Sequence, residues 1–133
     1  MGNAGKWNFF LDKEVVGLDT ELIAMLDMAR HKTKGPSFPT GIPFIITDGK
    51  RDGTGKKDRN AVNNSAHLTG NAVDLRCRDY RSLSVMLAAL TAAGFRRIGI
   101  YFKIVNGKPK PTHVHVDNDP TKDQDVTWLT EEL

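Results

Sequence analysis

The sequence predicts a single α+β domain spanning residues 1–133, with a small antiparallel sheet flanked by helices. Two observations carry that expectation. Apolar residues recur at helical spacing in two segments, and four short runs are β-branched or alternate in polarity. In chain order these read helix, strand, strand, helix, strand, strand, which places antiparallel strands on one side of the domain.

The first helix is expected from Asp19 to Arg30. Leu18, Leu22, Ile23, Leu26 and Ala29 share one face, and Asp19 or Thr20 can cap the unmade hydrogen bonds of the first turn. KGPSFPTGIP is loop by its Gly and Pro content, and IPFIIT follows as a short buried strand. Residues 48–64 are expected to form a long polar loop, which in a compact domain is usually functional or mobile. NAVDLRC alternates, with Ala72, Asp74 and Arg76 on one face and Val73, Leu75 and Cys77 on the other. The second helix is expected over roughly Tyr80 to Ala93. Its stripe is Leu83, Met86, Leu87 and Leu90, and Gly94 is a natural stop. RIGIYFKIV then reads as a strand, Asn106-Gly107 as a hairpin-type turn, and THVHVD as the returning strand.

Composition narrows the class. A chain of this length can bury a real core without covalent staples, and its one cysteine, Cys77, excludes an intrachain disulfide framework. Cys77 alternates onto the apolar face and is expected to be a core thiol. No apolar run approaches the roughly 18 residues of a membrane span. The start, MGNAGKWNFFLDKEVV, lacks a basic segment followed by an apolar one, so no secretory signal is visible. The chain is therefore expected either to be cytoplasmic as made, with access to its target by lysis or by carriage on a particle, or to be given without a leader. The net charge of +3 is mild but unevenly placed: DGKRDGTGKKDR is basic and DNDPTKDQDVTWLTEEL is acidic. The basic stretch reads as a solvated loop, with steering of an anionic polymer as the alternative.

The chemistry concentrates in two places. SAHLTGNAVD holds Ser65, His67, Gly70, Ala72 and Asp74, and THVHVD holds His113 and His115, in a chain with four histidines in all. Residues two apart on a strand point the same way, so His113 and His115 project together while Val114 and Val116 enter the core. Gly70 permits the sharp turn that would bring His67 and Asp74 to one ion. Nitrogen and carboxylate ligands suit zinc, and a catalytic zinc keeps three protein ligands and one open position. The expected set is His67, Asp74 and one of the two strand histidines, the other being left for proton transfer. A lone HxH on a strand usually means packing or surface; the combination with the first motif is what points to a metal. His31, in the basic helix end ARHKTK, is expected to complement the helix C-terminus.

SAHLTGNAVDL resembles the SxHxxGxAxD signature of the zinc D-Ala-D-Ala carboxypeptidase family, and HVHVD resembles the second HxH motif of that family. The wider group shares the LAS-type fold of lysostaphin-like, D-Ala-D-Ala peptidase-like and hedgehog N-terminal domains. AAGFRRIGIYF is similar to the segment before the last strand. IITDGKR is similar to an ITSGYR element, with Asp48 and Lys50 in place of the usual Ser and Tyr. The resemblance covers residues 42–118. It implies zinc on His67, Asp74 and His115, with His113 as general base or transition-state hydrogen-bond donor. It also implies Arg51 as the arginine that stabilises an oxyanion or binds a substrate carboxylate, and Ser65 as a substrate contact or a support for His67.

The resemblance implies a zinc peptidase that hydrolyses an amide bond in peptidoglycan stem peptides, either as a D-Ala-D-Ala carboxypeptidase or as a phage-type endolysin endopeptidase, including one that cuts L-alanyl-D-glutamate. Its site of action would be the cell wall after release from a host cytoplasm, or the periplasm or cell surface after leader removal. The alternative is a zinc-containing recognition module of hedgehog-like fold without catalysis. A nucleic-acid binder using the basic loop leaves the histidine set unexplained, so nucleic acid is not expected as a partner; no membrane span is expected, and the chain is expected to be a monomer.

Overall fold

The computed structural model describes residues 6–49, 67 and 69–133. It is a single small α+β domain that has, among the described residues, two α-helices and a five-stranded sheet. Helix α1 spans Thr20–Lys32 and is capped by Asp19, whose carboxylate accepts the Leu22 N–H at 3.2 Å. The expected stripe is the buried one: Leu22, Ile23, Leu26 and Ala29 face inward, with Leu18 just ahead of them. Helix α2 spans Tyr80–Ala92, capped by Asp79 through the Ser82 N–H at 2.7 Å. It ends where Gly94 turns at φ +106°, and the Phe95 N–H bonds back to the Leu90 carbonyl. Arg30, His31 and Lys32 occupy the last turn of α1, the position where positive charge complements the free carbonyls.

The strands are β1 (Ile46–Asp48), β2 (Ala72–Arg76), β3 (Arg97–Val105), β4 (Lys108–Asp117) and β5 (Val126–Glu131). Their order across the sheet is β1-β2-β4-β3-β5. The β3–β4 hairpin turns at Asn106 and Gly107, both at positive φ, as a two-residue primed turn requires. Only the end of the expected IPFIIT strand joins the ladder. Pro43 has no N–H to give, and the pairing of β1 with β2 is irregular, although Ile42 and Phe44 are still buried.

The sheet differs from the expected antiparallel one. β5 lies outside β3 and runs parallel to it, from Arg97↔Val126 to Phe102↔Glu131, so the sheet is mixed. The acidic tail conceals this strand because every second residue of VTWLTE is exposed at the sheet edge, which leaves a weak alternation among charges.

Alternation divides the sheet into two faces. Val73, Leu75, Val114, Val116 and Ile98 join Leu22, Leu26, Met86, Leu90 and Phe10 in one core, so both helices cover the same face. Truncating a fully buried member such as Leu75 to alanine typically costs about 2–5 kcal/mol. Cys77 also belongs to this core. Among the described residues the opposite face carries no helix, and it presents Asp74, Arg76, His113, His115, Tyr101 and Trp128.

Candidate metal centre

Sheet register builds the centre. Asp74 on β2 is directly opposite His115 on β4, which is opposite Gly99 on β3, which is opposite Trp128 on β5. The next row toward the hairpin holds Arg76, His113 and Tyr101. Two carboxylate and imidazole groups are thus fixed by backbone hydrogen bonds rather than by loop conformation, which favours the tight tolerances of a metal site.

His67 arrives from outside the sheet, in the turn before Gly70. The Gly70 carbonyl accepts the Asp19 N–H at 2.9 Å, so the turn is tied to the start of α1. Gly70 itself sits at φ +78°, and a Cβ there would lie 2.4 Å from the Gly17 carbonyl oxygen. Both the dihedral and the approach demand glycine.

The three groups meet. One ligand atom from each of His67, Asp74 and His115 lies within 4.8 Å of the others, and the group is almost wholly buried. His67 Nε2 is 3.4 Å from Asp74 Oδ1, and His115 Nδ1 is 3.0 Å from the same oxygen. Metal bonds of about 2.0–2.2 Å give a tetrahedral edge of about 3.3–3.6 Å; the His67 separation matches it, and the His115 separation is a few tenths of an ångström shorter.

Hydrogen bonds select which nitrogen faces the ion. His67 Nδ1 is 2.9 Å from the Gly49 carbonyl, which only accepts, so Nδ1 carries the proton and Nε2 offers its lone pair. His115 Nε2 is 2.7 Å from Asp117 Oδ2, which leaves Nδ1 toward Asp74. A nitrogen lone pair and a carboxylate oxygen at 3.0 Å require a shared cation, either a proton or a metal. The donor set therefore fits a metal ion, and this buried group could hold one.

The same contacts set the electrostatics. Burial disfavours the charge on Asp74, but hydrogen bonds to His115 and His67 outweigh it and hold the carboxyl well below the usual range. Burial likewise opposes charge on His115, yet its bonds to Asp117 and Asp74 raise its pKa. Asp117 is the support behind that ring. Its side chain is 1% exposed and it accepts from His115, from Arg97 Nε at 2.8 Å and from the Asp119 N–H at 3.0 Å. Those three partners overcome the cost of its burial and lower its pKa.

His113 sits beside the group rather than in it. Its Nε2 is 3.8 Å from Asp74 Oδ2, and its ring stacks on Tyr101 at 4.3 Å between centroids. Its Nδ1 lies 3.2 Å from Thr112 Oγ1 and 3.6 Å from Glu132 Oε1, and Thr112 also donates to Glu132. Sequence reasoning finds no acid in PKPT, just before His113; the fold supplies one from the far end of the chain. Arg51 and Ser65 lie outside the described residues.

Three contributors are absent from the sequence reading. Asp117 stands two residues after His115 on the same strand face, a spacing that could have identified it. Glu132 carries no local signal. Trp128 reaches His115, with ring centroids 5.6 Å apart, because Gly99 opposite it has no side chain: a Cβ there would be 2.6 Å from the indole.

No family model matches the chain, and neither the curated proteins nor the solved structures contain a match to it.

Proposed function

We propose that this protein is a zinc-dependent peptidase acting on peptidoglycan stem peptides, with a LAS-type fold. One observation carries the reading: the buried His67–Asp74–His115 group lies on the sheet face opposite α1 and α2, with a third imidazole, His113, in the adjacent row. A site that only held the fold together would have no use for that neighbour. The two motifs that resemble the zinc D-Ala-D-Ala carboxypeptidases supply these same residues.

When bound, zinc supplies polarisation of the substrate carbonyl and a source of hydroxide near neutral pH. The protein's own groups do the rest. Asp117 holds His115 in one tautomer and one orientation. His113 is the proton carrier: it accepts the proton of the attacking water and returns it to the leaving amine. Glu132, on the Nδ1 side of that ring, stabilises the imidazolium formed between the two transfers. By the resemblance, Arg51 meets the oxyanion or a substrate carboxylate, and Ser65 contacts substrate or supports His67.

The test is mass spectrometry of soluble products after incubation with purified peptidoglycan, zinc-loaded and chelator-stripped in parallel. Metal-dependent release of alanine identifies a D,D-carboxypeptidase. New amino termini or whole stem peptides identify an endopeptidase. Retained zinc with no product from several wall types overturns the reading in favour of a recognition module.

A further inference from the structure

The sheet face opposite α1 and α2 continues past His113 toward the tip of the β3–β4 hairpin, and there its character changes. A groove of about 450 Å³ begins at His113 and Thr112 and is lined by Arg76, Arg78, Lys103 and Lys110. Arg76 is opposite His113 in the register, and Lys103 is opposite Lys110 one row further on. All four cations are exposed, and the described lining contains no acid. Among the described residues none of the four has an ion-pair partner, whereas Arg97 at the start of β3 and Arg96 just before it are both paired with aspartates. Four like charges along one groove repel each other unless an anion lies among them.

We infer that this groove binds a carboxylate-bearing stretch of the substrate peptide, an inference that rests on the proposed peptidase reading. Sheet spacing gives the positions. Strands advance about 3.3 Å per residue, so the Arg76 row lies about 7 Å and the Lys103–Lys110 row about 13 Å from the Asp74–His115 row. An extended peptide whose reacting carbonyl lies at the metal group therefore presents carboxylates about two and about four residues away. Arginine can take a carboxylate through two parallel hydrogen bonds, whereas the lysines act as point charges. A phosphodiester polymer suits the groove less well. The track is short, it ends at a protein side chain, and the one aromatic ring of its described lining, His113, already stacks on Tyr101.

The experiment compares a fluorescent stem peptide with free carboxylates against the same peptide amidated, by anisotropy with zinc-loaded protein. Products are read by mass spectrometry in the same samples. The wild type should bind the free acid at least tenfold more tightly than the amide. Lys103→Ala/Lys110→Ala, both on the exposed hairpin and remote from the metal group, should bring that ratio below about threefold with zinc content unchanged. Arg76→Ala alone should lower it as well. Equal binding of acid and amide by the wild type, or an undiminished ratio in the lysine variant, overturns the inference. So does tighter binding of a thymidine oligonucleotide than of the acid peptide, which would reassign the groove to phosphodiesters. Charge-selective binding without hydrolysis sinks the peptidase reading alone; hydrolysis without charge selectivity sinks the groove alone.

Discussion

His115 has a carboxylate at each ring nitrogen, and the two serve different ends. Asp74 stands on the ion side at 3.0 Å, while Asp117 stands behind at 2.7 Å with its other bonds already committed to Arg97 and the Asp119 N–H. Asp117→Asn removes the charge that fixes the tautomer while keeping the shape. Zinc affinity should fall about 10–100-fold, measured by competition with a chromophoric chelator; unchanged affinity would remove the orienting role. His113 makes the opposite prediction. It stacks on Tyr101 outside the ligand group, so His113→Ala should retain zinc at wild-type stoichiometry while turnover falls by about 10²–10⁴. Loss of the metal in that variant would make His113 a ligand, and wild-type turnover would end its role as proton carrier. At this scale the sequence was informative where ligands lie within one motif. It was silent on Glu132, which reaches His113 from nineteen residues downstream through a strand that cannot be recognised without its neighbour.

Elements place these residues through two glycines. Gly70 lets the His67 turn close onto Gly17, and Gly99 lets Trp128 lie across the sheet toward His115. Gly70→Ala meets both a positive φ and a carbonyl oxygen 2.4 Å away. Gly107, at the same φ of +78° in the hairpin turn, has nothing within 4 Å of its would-be Cβ. The pair therefore separates dihedral strain from collision. Gly107→Ala should cost about 1–2 kcal/mol. Gly70→Ala should cost clearly more, about 3–4 kcal/mol, with zinc stoichiometry reduced because His67 is displaced. Urea denaturation of both variants checks this, and equal losses would mean that the turn yields freely. Helices α1 and α2, the β3–β4 hairpin and the faces of β2 were legible because each has a local period and a stop: Asp19, Asp79, Gly94 and Asn106-Gly107. β5 was not. It is an edge strand in an acidic tail, and its pairing with β3 is parallel, so no hairpin turn announces it.

At the scale of the molecule, α1 and α2 cover one face of the sheet, and the His67–Asp74–His115 group lies on the other. Cys77 reports on the covered side. Burial pushes its thiol up to about 11 from an ordinary value near 9. The native state then keeps a proton that the unfolded chain releases between pH 9 and 11, so stability falls as pH rises through that window. The loss from this group approaches about 3 kcal/mol above it. Cys77→Ala should lack that component, so the difference between wild-type and variant stability should shift in favour of the variant from pH 8 to pH 11 in urea titrations. A constant difference would mean that the thiol titrates normally. In the native state at pH 8 the thiol should also resist alkylation, and it should react on unfolding. The sequence by itself determined the two helices, the hairpin, the core stripe and the identity of the residues able to bind a metal, because each depends on spacing within a few residues. Only the tertiary structure decided that β5 runs parallel to β3, that Asp117 and Glu132 stand behind the two imidazoles, and that Arg76, Lys103 and Lys110 line one groove. The β5, Glu132 and Arg76 relations join segments far apart in the chain, and sheet register, which no local period encodes, sets them; Asp117 lies two residues from His115, but its contacts with that ring and with Arg97 are seen only in the folded sheet.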